Sequence, residues 1–354
     1  MRLKERMRLA PLAAGWSPSA GHAQLTSRRV ATGPAGSVSS LTVSGVPIAS
    51  AIERLPAAAE DAITKGHTVM GAPDALVVVT NLFVPTVQRL TGESDYHADR
   101  GGGDVAARTV TTTDGDVVVI VNWEVMATKS LGVLERVLAH ESGHLQIMRR
   151  AEEPYELLDE ILDDPWDFTV ASMFAVCVDE YRCEAAVFAA GYSVENSHTD
   201  FEYEGTLTGL NIASIGANFE YQKHLDVARL RSDVLAAMSN HTKTLGCMAA
   251  RHLHGHPFDP ANLSTHGQAN WSELVAPAWV ELLGLLAEVP DASSAWPGKE
   301  SAQTATSGIS MMNTFCKSLG YLAEPDKFWI KMDLATFNQR LDRANAEMKI
   351  FDQR

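Results

Sequence analysis

The residue types best able to perform chemistry lie in one short segment. There, His140 and His144 are separated by four positions, and Glu141 follows the first histidine. Side chains four positions apart lie on one face of a helix, so both imidazoles can reach a single ion. Zinc binds imidazole nitrogens at about 2.0–2.1 Å, and a carboxylate beside the first ligand can take a proton from a zinc-bound water. The segment therefore predicts a zinc site with His140 and His144 as ligands and Glu141 as the catalytic base.

A catalytic zinc needs a third protein ligand, and the candidates are Glu180 and Glu184 in the next long helical segment. These glutamates are again four positions apart, on a face otherwise built from apolar residues such as Phe174 and Val187. Carboxylates are unfavourable there unless they are paired or bind a metal. We expect Glu180 to be the third ligand and Glu184 to orient a ligand histidine through its other ring nitrogen. The exchanged assignment, with Glu184 as the ligand, stays open.

A hairpin and a helix are predicted to position this segment. Two runs of β-branched residues flank Asp114-Gly115, which is typical of a β-hairpin. The second run is continuously apolar over residues 117–121, which predicts a buried strand. Ser130 can cap the helix that follows, and apolar residues recur with helical spacing from there to about Arg150. The histidine pair is thus expected on a helix that comes shortly after a buried strand.

The whole chain is expected to form three parts. Residues 1–45 are expected to be a basic, flexible arm, residues 46–205 a core with the catalytic zinc site, and residues 206–354 a helical C-terminal region. Helices, a small antiparallel sheet and further helices make the predicted fold class α+β and mostly helical, with the sheet packed on the helix of the histidines. Composition further predicts a helix at 47–65, a polar stretch at 193–205, and loops at 256–270 and 289–307.

Composition and charge narrow the classes of function. The chain has 354 residues, with 29 Lys and Arg against 44 Asp and Glu, and a formal net charge of −15. An acidic surface repels phosphate backbones and anionic lipid headgroups, so we expect neither a nucleic-acid nor a membrane partner. No apolar run reaches the ~20 residues of a membrane helix. The four cysteines have no CxxC spacing, and a reducing cytoplasm is the simpler location.

Residues 137–144, Val-Leu-Ala-His-Glu-Ser-Gly-His, together with Glu180 and Glu184 resemble the gluzincin class of zinc metallopeptidases. In that class the third ligand is a glutamate on the helix after the HExxH helix, with an acidic residue four positions later. The motif and the Glu-Tyr pair at Glu180 are most similar to the HtpX-like membrane proteases, although this chain has no apolar run of membrane length. The Glu-Ala pair at Glu184 is similar to the ligand position of the soluble ImmA/IrrE peptidases. The two resemblances cover about residues 105–190 and disagree on the third ligand.

The resemblance implies a minigluzincin-like core, Zn²⁺ as cofactor and hydrolysis of a peptide bond, with Glu141 activating a zinc-bound water. A peptide or protein substrate would pair with the edge strand at residues 105–112. Tyr192, His198 and Tyr203 are candidates for stabilising the oxyanion by proximity in sequence alone. Two alternatives are a metal-binding regulatory or binding protein without turnover and a purely structural helical protein.

Two further groups of potential ligands are interpreted as structural. His252, His254 and His256 alternate along the chain, but Gly255 favours a helix end followed by a loop. Cys183 lies beside the proposed ligands, and we expect it to be a small buried thiol.

Overall fold

The computed structural model describes residues 39–43, 46–52, 54–71, 73–98, 105–194, 200–324 and 327–351. Within them the chain is mostly helical, with one five-stranded sheet and one two-stranded antiparallel sheet. The predicted α+β class is confirmed at this level. Within these ranges, none of the helices combines the length and the apolar character that a membrane-spanning helix needs.

The elements of the first half, in chain order, are β1 (Ser39–Val43), β2 (Val46–Ser50), α1 (Ala57–Thr68), β3 (Val77–Thr80), α2 (Phe83–Thr91), β4 (Ala107–Thr111), β5 (Val117–Asn122), α3 (Trp123–Met126), α4 (Leu131–Arg149), α5 (Tyr155–Ile161) and α6 (Pro165–Ala189). Those of the second half are α7 (Asp200–His224), α8 (Val227–Leu253), a 3₁₀ turn (Pro260–Asn262), α9 (Thr265–Asn270), a π-helical turn (Trp271–Val275), α10 (Ala276–Leu286), α11 (Gly298–Ser307), α12 (Ile309–Ser318), β6 (Tyr321–Glu324), β7 (Lys327–Ile330) and α13 (Leu334–Phe351).

The larger sheet is mixed rather than antiparallel as predicted. Its strand order is β1-β2-β3-β5-β4, in which β2, β3 and β5 run parallel and the outer strands β1 and β4 run antiparallel to their neighbours. Parallel neighbours need a crossover connection, and α1 supplies one between β2 and β3. The predicted hairpin is confirmed as β4–β5, and its turn contains Gly115 at a φ of 89°, a conformation that glycine adopts without strain.

Two predictions near the N-terminus are wrong in part. The helix expected at 47–65 begins only at Ala57, because the residues before it pair as β2 with β1 and β3. Ser39–Val43, which were assigned to the flexible arm, form β1. Residues 1–38 of that arm lie outside the described residues. Pairing with strands distant in sequence overrides the local Ala-rich signal here.

Helix α4 begins as predicted, with the Ser130 side chain accepting a hydrogen bond from the Val133 amide. Its residues Leu134 and Leu138 pack into a cluster with the buried face of the sheet. Helix α1 crosses α4 at close range, since a Cβ on Gly66 would lie 2.0 Å from the Glu135 carbonyl oxygen. The helix of the histidines is therefore fixed between the sheet and α1.

The C-terminal helices pack directly on the helices that carry the histidines and glutamates of the predicted site. Helix α6 lies against α4 on one side and along α8 on another. The expected boundary between residues 205 and 206 falls inside α7, because the polar stretch at 193–205 is helical from Asp200. The loops expected at 256–270 and 289–307 contain α9 and α11. Helix α11 lacks large apolar residues and packs through Ala302 and Ala305, which explains why no periodic signal marked it.

Candidate metal centre

Helices α4 and α6 bring His140, His144 and Glu180 together. The ligand atoms of the three side chains lie within 4.8 Å of one another. The Oε2 atom of Glu180 lies 3.1 Å from Nε2 of His140 and 3.6 Å from Nε2 of His144. The side chains are only partly buried, with 15%, 22% and 15% of their surface exposed for His140, His144 and Glu180. We call these residues the triad.

The triad fits a zinc ion in both geometry and chemistry. Two ligand atoms bound at about 2.05 Å in a tetrahedral site are about 3.3 Å apart. The distances of 3.1 and 3.6 Å bracket that value. Two imidazoles and one carboxylate are a donor set that catalytic zinc sites use.

Glu184 lies on the other side of the His140 ring. Its Oε2 atom is 3.2 Å from Nδ1 of His140, whereas Nε2 of the same ring faces Glu180. The carboxylate is buried, and its second oxygen accepts a hydrogen bond from the Arg136 guanidinium. A carboxylate on the nitrogen that does not bind the metal fixes the orientation and tautomer of a ligand histidine. This arrangement supports Glu180 as the third ligand and Glu184 as the orienting residue.

The electrostatics of the cluster favour a bound cation. Burial works against a charged His140, but contacts with Glu180 and Glu184 outweigh it and raise the pKa of His140 to about 10. Burial likewise works against a charged Glu184, but His140 and Arg136 lower its pKa to about 2. The pKa of Glu180 is also held below its usual range by the two histidines, against the effect of burial. Without a metal the cluster therefore retains a proton, and a divalent cation can take the place of that proton.

The Glu141 side chain contacts the edge strand of the larger sheet. Its carboxylate is mostly buried, and Oε2 accepts a 2.7 Å hydrogen bond from the hydroxyl of Thr109 on β4. This contact fixes the predicted base against the strand that lies beside α4. Thr109 was not identified from the sequence, because no motif links it to a residue 32 positions away.

Cys247 on α8 is a second residue that sequence reasoning missed. Its Sγ atom lies 3.9 Å from Oε2 of Glu180, and with His140 and Glu184 it forms a further group of ligand atoms within 4.8 Å of one another. Burial and the Glu180 carboxylate raise the pKa of the thiol. Cys247 lies far along the chain from the HExxH motif at residues 140–144, so no spacing rule could have connected it to the site.

Cys183 is fully buried, as predicted, and forms a hydrogen bond with His144. Burial raises the pKa of its thiol to about 11 despite the nearby His144. In the part of the chain that the structure describes, Cys183 belongs to neither group of potential metal ligands.

The three candidates for oxyanion stabilisation have different positions. The Tyr192 hydroxyl donates a 3.1 Å hydrogen bond to Glu135. Tyr203 is completely buried in the helical core, where its ring contacts Trp271 and Phe258, and His198 lies outside the described residues. Of the two candidates in the described residues, Tyr192 is the one that contacts the helix that carries the histidines.

The alternating histidines after α8 face aromatic rings. His254 and His256 contact the ring of Phe188, and His252 contacts the ring of Trp279. The helix ends at Leu253, as the structural interpretation predicts, and among the described residues these three histidines belong to no group of potential metal ligands.

Comparisons with known proteins identify no family for this chain. The chain matches no protein-family model, and no match was found among curated proteins or among solved structures.

Proposed function

We propose that the protein is a zinc-dependent metallopeptidase with a gluzincin-type, minigluzincin-like catalytic core. One observation carries the proposal: Glu180 Oε2 lies 3.1 and 3.6 Å from the Nε2 atoms of His140 and His144. A buried carboxylate on the far side of His140 adds the orienting contact that such ligands need.

Glu141 is the proposed general base. A zinc ion held by His140, His144 and Glu180 would lower the pKa of a coordinated water and would polarise a carbonyl group. Glu141 follows the first ligand on the helix, and its carboxylate takes the proton of the attacking water and passes it to the leaving amine. The hydroxyl of Thr109 holds this carboxylate at 2.7 Å and thereby fixes its direction.

The edge of β4 is the proposed site for the substrate backbone. Among the residues that the structure describes, β4 pairs with β5 and occupies the end of the strand order. The unpaired amides and carbonyls of an edge strand can bind an extended peptide by adding a strand. Because Thr109 on this strand contacts Glu141, a peptide paired there would lie close to the proposed base. The substrate class is therefore a peptide or an extended segment of a protein.

All four cysteines are free thiols in the structure. Free thiols persist in a reducing compartment. The proposed location of the enzyme is therefore the cytoplasm.

A metal-binding protein without turnover is the second candidate, and the position of Cys247 favours it. A thiol 3.9 Å from the proposed ligand oxygen of Glu180 can add a donor to the site. Four protein ligands are typical of closed, structural zinc sites. Turnover on a peptide library separates the two candidates.

The test compares wild-type protein with Glu141→Gln and, as a control glutamate on another helix, Glu156→Gln. Loss of a general base lowers a rate by about 10²- to 10⁴-fold, so we expect Glu141→Gln to lose peptide hydrolysis while its zinc content, measured by plasma mass spectrometry, stays unchanged. Glu156 is exposed on α5, and its variant should retain activity. Hydrolysis that survives intact in Glu141→Gln would overturn the mechanism.

A further inference from the structure

The thiol of Cys247 approaches the triad from a helix that the HExxH motif does not include. Helix α8 runs along α6, and Gly246 marks their close contact. A Cβ on Gly246 would lie 2.3 Å from the Cys177 carbonyl oxygen and 3.1 Å from Cβ of Glu180. The neighbouring Cys247 is thus held against the segment that carries the proposed third ligand.

The distance from Cys247 to Glu180 fits a shared ion. Zinc binds sulfur at about 2.3 Å and oxygen at about 2.0–2.2 Å, which places the two atoms about 3.6 Å apart in a tetrahedral site. The observed distance between Sγ and Oε2 of Glu180 is 3.9 Å. The sulfur lies within 4.8 Å of a ligand atom of His140 in the group that also contains Glu184, and among the described residues it forms no such group with His144. The Cys247 side chain must therefore turn toward His144 to take the fourth position.

The other grouping of the same thiol, with His140 and Glu184, is less suited to an ion. Glu184 already accepts a hydrogen bond from the buried Arg136 guanidinium. A cation there would be repelled by this fixed positive charge. The triad side of His140 is therefore the side on which Cys247 meets a metal.

We propose that Cys247 is a fourth, displaceable ligand of the metal held by His140, His144 and Glu180. This inference rests on the proposed zinc site. On binding, the thiol loses its proton to solvent and the thiolate takes the position that water needs for hydrolysis. The resting protein then has a closed site, which opens when the thiolate leaves.

Two measurements on the full chain test the proposal. X-ray absorption spectroscopy of the zinc-loaded wild-type protein should show one sulfur neighbour at about 2.3 Å beside the nitrogen and oxygen neighbours. This measurement needs no variant. The second measurement replaces zinc by Co²⁺, whose bond to a thiolate gives a sulfur-to-cobalt charge-transfer band in the near ultraviolet. We expect this band in wild type, its loss in Cys247→Ser, and its retention in Cys183→Ser, which alters the other thiol near the triad.

The outcomes separate this inference from the proposed function. Cobalt bound in wild type with visible ligand-field bands, but without the charge-transfer band, would overturn the role of Cys247 and leave the metal site intact. A band lost in Cys183→Ser but kept in Cys247→Ser would overturn it as well. No cobalt or zinc bound in wild type would overturn the metal site itself. Severalfold faster peptide hydrolysis by Cys247→Ser would support a displaceable thiolate, and an unchanged rate would contradict it.

Discussion

The Oε2 atom of Glu184 lies 3.2 Å from Nδ1 of His140, on the opposite side of the imidazole from the nitrogen that faces Glu180. The two carboxylates differ in their surroundings, since Glu184 is buried and paired with Arg136 while Glu180 is partly exposed and close to both histidines. One ring is thus held between a carboxylate suited to bind a metal and one suited to orient the ring. Sequence spacing alone left these two roles interchangeable.

Replacing each carboxylate separately should distinguish the roles. We expect Glu180→Gln to lose zinc, because a carboxamide replaces a charged ligand. Glu184→Gln should keep zinc with an affinity weakened by about 10- to 100-fold, as for other residues that orient a ligand histidine. Plasma mass spectrometry and competition with a chelator of known affinity measure both effects. Zinc lost only in Glu184→Gln would establish the exchanged assignment.

The hydroxyl of Thr109 should contribute to the rate of hydrolysis through Glu141. The substitution Thr109→Val keeps the shape of the side chain but removes the 2.7 Å hydrogen bond to the carboxylate. A hydrogen bond to a charged group contributes about 1.5–3 kcal/mol, so we expect kcat to fall by about 10- to 100-fold with unchanged zinc content. Thr111→Val on the same strand is the matched control. Equal rates for both variants would show that Thr109 does not position the base.

The parts of the fold that were predictable depend on local patterns. The β4–β5 hairpin follows from Asp114-Gly115, and α4 follows from its cap and its helical period. The four-residue spacing in each of two helices was enough to predict which side chains of α4 and α6 would meet.

The parts that were missed depend on contacts between distant segments. The parallel arrangement of β2 and β3 requires pairing across α1, which no local pattern encodes. Cys247 is 67 positions from Glu180, and Thr109 is 32 positions from Glu141. Such contacts are set by how helices and strands pack, so they emerge only with the tertiary structure.

The metal-free protein should become less stable as the pH rises above neutrality. His140 has its pKa raised from an ordinary value of 6.5 to about 10 in the folded chain. Between these values the folded state binds more protons than the unfolded state, so this contribution to stability is fully present below pH 6.5 and is lost as the pH approaches 10. Zinc affinity should change in the opposite direction, because the metal must displace this proton.

Urea unfolding of the metal-free protein at several pH values between neutrality and about pH 10 measures this effect. Glu180→Gln is the comparison, since it removes one of the carboxylates that raise the pKa of His140. We expect a weaker pH dependence in the variant. If the unfolding free energy depended on pH equally in both proteins, Glu180 would not control the titration of His140.

The close contact of α8 with α6 should depend on Gly246. The substitution Gly246→Ala would place a methyl group 2.3 Å from the Cys177 carbonyl oxygen, and backbone must move to relieve the clash. Overpacking of this kind costs about 1–3 kcal/mol of unfolding free energy, measured by chemical denaturation. Gly216→Ala on α7 is the matched control, because its added Cβ meets nothing within 4 Å and alanine favours the helix by about 1 kcal/mol.

Separation of α6 and α8 would also carry Cys247 away from Glu180, so Gly246→Ala should weaken the sulfur-to-cobalt band. Wild-type stability together with an unchanged band in Gly246→Ala would contradict the tight contact.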